Sequence, residues 1–104
     1  PTYTLVEPYE LEKKSIFHFD LYRMGTADEL SFLGLDEYFS VPNSVRLVEW
    51  PEKGAGVLPS ADLTLQLAYL DGLNAGRSIR ITASSASGQQ CLETLQALLR
   101  DSNK

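Results

Sequence analysis

Residues 16–23, IFHFDLYR, alternate between strongly apolar and more polar side chains, a pattern that predicts an extended strand with two unlike faces. One face carries Phe17, Phe19 and Leu21, and the other carries Ile16, His18, Asp20 and Tyr22. The first face is predicted to lie in the core. His18 and Asp20 would stand about 7 Å apart along the strand, close enough to serve one ligand or one water. A polar sheet face exposed to solvent would show the same pattern without any further role.

Other segments also show strand patterns. YTLVEPY at 3–9 is rich in β-forming residues and precedes a polar turn, which predicts a hairpin with the strand at 15–22. VRLVEWP at 45–51 predicts a short buried strand that ends at its proline. Alternating apolar residues at 63–69 and 79–83, separated by the turn DGLNAG, predict a second hairpin.

Two capping patterns mark the starts of helices. Thr26 and Glu29 form a T-x-x-E box ahead of a short helix that Gly34 is expected to end. Ser87 and Gln90 form an S-x-x-Q box ahead of a longer helix with leucines at helical spacing. Together, the elements predict an α/β fold with a mixed sheet of about five strands, two hairpins plus one central strand, and two or three helices.

Length and composition restrict the class of protein. The 104 residues predict a single domain over 1–104, with 100–104 as a frayed tail. The single cysteine, Cys91, excludes an internal disulfide and is expected to be buried on the apolar side of the last helix. A net charge of −5 argues against direct binding to nucleic acid, which needs clustered Lys and Arg. With no apolar run of membrane-spanning length, a soluble, cytoplasmic protein without membrane contact is expected.

Two acidic residues stand near the ends of predicted strands. Asp20 and Glu49 could converge on a divalent cation such as Mg²⁺, which prefers oxygen ligands. A transition-metal hydrolase site formed by His18, Asp20 and Glu49 is a weaker alternative, because their spacing is not diagnostic. The glycines of KGAG at 53–56 lack the Lys-Ser/Thr ending of a phosphate-binding loop, so an ordinary connection is expected there.

Three motifs in this order carry a resemblance to a known family: PTYTLVEPYE at 1–10, FHFDLYR at 17–23 and LVEWPEKGAGVLP at 47–59. The chain resembles the TsaE (YjeE) family, the ATPase component of bacterial tRNA threonylcarbamoyladenosine (t6A) biosynthesis. The resemblance implies a P-loop NTPase-like fold. No glycine in this sequence is followed by Lys-Ser or Lys-Thr, so the Walker A lysine cannot be assigned to any residue. We therefore expect an incomplete P-loop fold, the C-terminal portion of a P-loop ATPase in a truncated sequence.

The resemblance implies roles for individual positions. Asp20 is similar to the family's acid near Mg²⁺ and the attacking water, and Glu49 to its Walker B-like acid, so both are expected to be catalytic and metal-binding. Thr2 and Thr4 resemble a switch-like segment that senses the terminal phosphate. The nucleotide-binding residues are then Thr2, Thr4 and Trp50, and the residues expected to contact a partner or support the site are His18, Tyr22 and Arg23.

The same resemblance implies ATP and Mg²⁺ as cofactors and the TsaB and TsaD type subunits of the t6A synthesis complex as partners. ATP hydrolysis would reset that complex between rounds of modification, without direct contact between this chain and nucleic acid. Without a phosphate-binding loop, the 104-residue chain alone is expected to be inactive and to self-associate through unpaired strand edges. The alternative from a different class is a small, non-catalytic α+β protein-binding module.

Overall fold

The computed structural model describes residues 5–72 and 75–102. The chain divides into two compact units, Pro1–Leu58 and Pro59–Lys104. The prediction of one domain over 1–104 stays a prediction. No helix within the described ranges combines the length and the apolar character needed to cross a membrane.

The first unit contains a three-stranded sheet in the order β1-β2-β3. Its strands are β1 (Val6–Glu10), β2 (Ser15–Asp20) and β3 (Ser44–Glu49). β1 pairs antiparallel with β2, as the predicted hairpin requires, whereas β2 pairs parallel with β3. Helices α1 (Asp28–Phe32) and α2 (Leu35–Phe39) lie in the β2–β3 connection, and a 3₁₀ helix, Pro51–Gly54, follows β3.

The core of the first unit lies under the apolar face of β2. Phe19 and Leu21 are fully buried and Phe17 nearly so, which confirms the alternation seen in the sequence. The ring of Tyr38 on α2 packs edge-on against Phe17 and Phe19, with ring centroids 5.2 and 5.6 Å away. Leu30 on α1 is fully buried in the same cluster. The two short helices therefore cover one face of the sheet and leave the His18 face free of them.

The first capping box forms only in part. The residue before α1 is Ala27, and no side chain caps the helix. The Glu29 carboxylate instead accepts a hydrogen bond from the backbone N–H of Gly25 at 3.0 Å. Gly34, with φ of 73°, separates α1 from α2 as expected, because glycine adopts this left-handed conformation without steric cost.

The second unit contains a hairpin and one long helix. β4 (Leu63–Tyr69) pairs antiparallel with β5 (Arg77–Ala83), which confirms the second predicted hairpin. Within the described ranges the structure has the predicted α/β class and five strands, divided between a three-stranded and a two-stranded sheet, and β3, the strand predicted to be central, lies at the edge of the first. The third helix, α3, spans Ala86–Ser102, so residues 100–102 of the expected frayed tail are helical, and 103–104 lie outside the described ranges.

Two expectations about α3 are wrong. The helix begins at Ala86, so Ser87 lies inside its first turn, and the cap is Ser85, whose Oγ accepts a hydrogen bond from the Gly88 N–H at 3.0 Å. Ser85 also donates to Asp62 Oδ1 at 2.6 Å, a partner that the local sequence pattern could not reveal. Cys91 is exposed, because in this unit little packs against α3 beyond its contact with β5.

Candidate functional site

Two carboxylates end neighbouring parallel strands. Asp20 is the last residue of β2 and Glu49 the last residue of β3, and the two are paired positions in the sheet register. Carboxyl ends of parallel strands meet at one edge of a sheet, where α/β proteins commonly bind ligands. The structure therefore brings together the two acids that the sequence singled out.

Glu49 is bonded to His18. Nε2 of His18 lies 2.9 Å from Oε2 of Glu49, and the two side chains keep 34% and 59% of their surface exposed. His18 sits two residues before Asp20 on β2, so its ring stands on the same face of the sheet as both acids. The contact links the polar side of β2 directly to the acid of β3.

Asp20 is held by a local turn. Its Oδ1 accepts a hydrogen bond from the backbone N–H of Tyr22 at 3.1 Å. The Leu21 N–H donates to the Glu49 carbonyl at 3.2 Å, and the Asp20 N–H donates to the Leu5 carbonyl at 3.0 Å. The backbone that carries this carboxylate is thereby bonded to both neighbouring segments, while the carboxylate itself stays exposed.

An aromatic pair flanks the two acids. The rings of Tyr22 and Trp50 lie 5.0 Å apart, and both side chains are about half exposed. Nζ of Lys53 sits 5.7 Å from the centroid of the Tyr22 ring, within the range of a cation–π contact. Trp50 has φ of 59°, a left-handed conformation that is uncommon for a bulky residue and that recurs at functional sites.

Lys53 is the site residue that sequence reasoning missed. The KGAG segment was expected to be an ordinary connection, but residues 51–54 form a 3₁₀ helix that turns Lys53 back towards Tyr22. Gly54 packs tightly there: a Cβ atom would lie 2.8 Å from side-chain atoms of Leu30 and Leu58. The available signal was the proline directly after Trp50, since proline is common in the first turn of a helix.

Not every predicted residue can be placed at this edge. Thr2 and Thr4 lie outside the described residues. Arg23 is exposed, and within the described ranges it forms no ion pair with Asp20 or Glu49. His18, Asp20, Tyr22, Glu49 and Trp50 are all found at or beside the ends of β2 and β3.

Asp20 and Glu49 are better suited to binding Mg²⁺ than to binding a transition metal. Across residues 5–72 and 75–102, no three His, Cys, Asp or Glu side chains are grouped so that they could hold a metal ion, which speaks against the three-ligand transition-metal site. Mg²⁺ is commonly held by one or two carboxylates together with water and substrate phosphates. Asp20 and Glu49 fit that incomplete set, and the remaining ligands would come from phosphate oxygens and water.

The β1 side of the site is also acidic. Glu7 is the register partner of His18, and its Oε2 accepts a hydrogen bond from the Tyr9 hydroxyl at 3.1 Å. That hydrogen bond and the nearby negative charge raise the pKa of Tyr9 above its ordinary value. A cavity of about 410 Å³ lies elsewhere in this unit, beside α2, and is lined by none of these residues.

Comparisons with known proteins agree with one another. The family model described as "Threonylcarbamoyl adenosine biosynthesis protein TsaE" matches residues 1–79. The TsaE protein of Haemophilus influenzae is 44% identical over 92 residues, which are 88% of this chain and 56% of that protein. The TsaE protein of Rickettsia bellii is 35% identical over 71 residues, 68% of this chain and 48% of that protein.

A solved structure shows the same fold. The crystal structure of YdiB from Bacillus superposes with a TM-score of 0.65 at 30% identity, covering 90% of this chain and 56% of the other. This chain therefore spans about half the length of the relatives that it matches. Because the family model covers residues 1–79 of the 104, and the Haemophilus protein is 44% identical over most of the sequence, the chain belongs to the TsaE family of threonylcarbamoyl adenosine biosynthesis proteins.

Proposed function

We propose that this chain supplies the acidic half of an Mg·ATP site in an ATPase of tRNA threonylcarbamoyladenosine synthesis. The observation that carries the proposal is the register pairing of Asp20 with Glu49 at the carboxyl ends of two parallel strands. Phosphoryl transfer needs little covalent chemistry from a protein; positioning and charge stabilisation do most of the work. Two carboxylates at one sheet edge are suited to both tasks.

Asp20 and Glu49 would hold Mg²⁺ through their carboxylate oxygens. Bound Mg²⁺ would neutralise the charge that develops on the transferred phosphoryl group. The position of Glu49 at the end of its strand, in contact with His18, supports this role. Asp20, whose Oδ1 is fixed by the Tyr22 N–H, would orient the attacking water. Trp50 would contact the nucleotide from its position beside Tyr22.

The phosphate cradle would come from sequence outside these 104 residues, since no Gly-Lys-Ser/Thr run is present among them. Thr2 and Thr4 remain candidates for sensing the terminal phosphate. Their assignment is supported by the hydrogen bond from the Asp20 N–H to the Leu5 carbonyl, because the chain enters β1 beside this acid. Oxygen atoms of threonine hydroxyls are suitable ligands for a hard cation or partners for a phosphate.

The partners in this proposal are proteins. ATP hydrolysis would reset TsaB and TsaD type subunits of the t6A synthesis complex, in the cytoplasm. A net charge of −5 is consistent with an ATPase that leaves RNA contact to those subunits, because direct phosphate contact needs clustered positive charge.

A chimera tests the proposal. The part of the Haemophilus influenzae TsaE protein that lies outside the matched 56% would be joined to Pro1 of this chain, and ATP turnover measured with and without Mg²⁺. Asp20→Asn and Glu49→Gln keep the side-chain volume and remove the charge, so each should reduce kcat by roughly 100-fold or more. Glu52→Gln, an exposed acid next to the site, is the matched control and should keep its activity. An active chimera in which both site variants work at full rate would refute the assignment.

The second candidate, a protein-binding module, is favoured by a different observation. In residues 59–102 large apolar side chains are exposed on the hairpin and on α3, including Leu67, Tyr69, Ile79 and Leu98. A chimera that folds and binds the partner subunits without any ATP turnover would support this candidate.

Self-association of the chain, expected from unpaired strand edges such as β3, is tested by light scattering over a range of concentrations. A monomer at every concentration would rule it out.

A further inference from the structure

His18 is the only histidine in the sequence, and each of the three strands of its sheet carries an acidic residue near it in the register. Glu7 is its register partner on β1, Asp20 lies two residues further along β2, and Glu49 ends β3. Of these three carboxylates, only that of Glu49 lies within hydrogen-bonding distance, at 2.9 Å from Nε2. On β3 the register partner of His18 is Leu47. The hydrogen bond of the His18 ring runs instead to Glu49, further along β3 at the end of that strand.

Without such a contact the Glu49 side chain could adopt several orientations. It is 59% exposed, and a glutamate at a strand end has several staggered rotamers available to it. A carboxylate spread over these rotamers would present its oxygens to a cation in many directions. A ligand is held in one geometry when a neighbouring group donates a hydrogen bond to it.

We infer that His18 is the positioning residue of Glu49: its Nε2–H donates to Oε2 and holds the carboxylate in one rotamer, which leaves Oε1 free to coordinate the cation or to accept a hydrogen bond from its water. This inference rests on the proposed function, because it assigns a role to His18 within that site. His18 does not contact the reacting atoms, and its effect passes through Glu49.

The atom that donates the hydrogen bond gives a specific test. A glutamine amide nitrogen can replace the Nε2 of histidine, whereas the shorter asparagine amide reaches only as far as Nδ1. His18→Gln should therefore preserve the position of Glu49, and His18→Asn should lose it although it is equally polar. If His18 only stabilised the fold, the two variants would not differ in the position of Glu49. Glu7→Gln, which removes the charge of the residue paired with His18 on β1, is the matched control.

The first measurement needs no ATP. In the 104-residue chain labelled with ¹³C and ¹⁵N, side-chain coupling constants report the rotamer populations of Glu49. One dominant rotamer is expected in the unsubstituted chain, in His18→Gln and in Glu7→Gln, with averaging in His18→Asn. The backbone amide spectrum shows whether each variant is folded. Equal averaging of Glu49 in the unsubstituted chain and in His18→Asn would overturn the inference.

The second measurement uses the active chimera. Groups that orient a metal ligand usually change activity by about 10–100-fold when they are removed. We expect His18→Asn to reduce kcat about 10-fold with the KM for ATP nearly unchanged, and His18→Gln to stay within about threefold of the parent. Equal rates for the parent and both His18 variants, with Glu49→Gln inactive, would refute the positioning role and leave the proposed function standing. Full activity of Glu49→Gln would refute the proposed function itself.

Discussion

His18 and Glu49 are 31 residues apart in the sequence, yet Nε2 of the first lies 2.9 Å from Oε2 of the second. The contact exists because β2 and β3 run parallel and in a register that pairs Asp20 with Glu49. It joins the exposed polar face of β2 to the acid of β3, so that this face forms one side of a candidate site with two carboxylates. The same face of the sheet is free of α1 and α2, which pack on the opposite side.

The 104-residue chain alone is expected to hydrolyse no ATP, because the backbone cradle and lysine that bind the phosphates in P-loop enzymes have no counterpart in its sequence. Phosphate release in the presence of Mg²⁺ would be compared with that of the chimera at the same concentration. Metal-dependent turnover by the purified chain would contradict this expectation and favour a metal hydrolase.

Phe19 should be the most sensitive position in the first unit. It is fully buried and packs against Tyr38 and Phe39, so Phe19→Ala should lower the free energy of unfolding by about 3–5 kcal/mol. Phe32→Ala is the control, because Phe32 is 89% exposed and should change the stability by less than about 0.5 kcal/mol. Both values come from urea denaturation, and Phe19→Leu provides a milder variant if the alanine form does not fold. Similar losses at both positions would contradict this view of the core.

At position 50, glycine should give a more stable protein than alanine. The left-handed conformation of Trp50 costs an ordinary side chain about 1–2 kcal/mol, and glycine adopts it freely. Both substitutions remove the contact with the Tyr22 ring, so their difference isolates the backbone. We expect Trp50→Gly to be about 1 kcal/mol more stable than Trp50→Ala in thermal or urea denaturation, the reverse of the order in a strand or helix interior. Equal stability would mean that the left-handed conformation is not retained.

Gly88 should not tolerate even one added methyl group. A Cβ atom there would collide with the backbone oxygen of Asp62, so the first turn of α3 would have to move. Gly88→Ala is expected to lower the stability by about 1–3 kcal/mol, although alanine favours helices elsewhere. Gly76→Ala is the control, since no atom of the residues that the structure describes lies within 4 Å of its added Cβ. An unchanged unfolding midpoint for Gly88→Ala would disprove this close approach.

Tyr9 should ionise at higher pH than an isolated tyrosine. The hydrogen bond to Glu7 and the charge of this carboxylate favour the neutral phenol, so they raise the pKa of Tyr9. A raised pKa means that the contribution of this contact to stability is complete below the ordinary tyrosine range and is lost as the pH rises through the pKa of the folded form. The difference in ultraviolet absorbance between the parent and Tyr9→Phe isolates this titration, and Glu7→Gln should move it to lower pH. No movement in Glu7→Gln would contradict the assignment.

The local pattern of the sequence determined which face of β2 is buried, but it placed the ends of β2 and β3 only to within about two residues. Alternation alone placed Phe17 and Phe19 in the core and His18 and Asp20 on the other face, because side chains on a strand repeat every two residues. The two predicted hairpins also formed, since short connections leave their strands few other partners.

The tertiary structure decided everything that depends on register and on distant contacts. The parallel pairing of β2 with β3 follows from a connection that contains two helices, and a shift of one residue would have turned Glu49 away from His18. In the same way, Ser85 rather than Ser87 caps α3, because Asp62 from another segment fixes the Ser85 hydroxyl. Periodicity and capping patterns describe each helix or strand separately. Which strand ends lie side by side depends on how the apolar faces of these elements pack together.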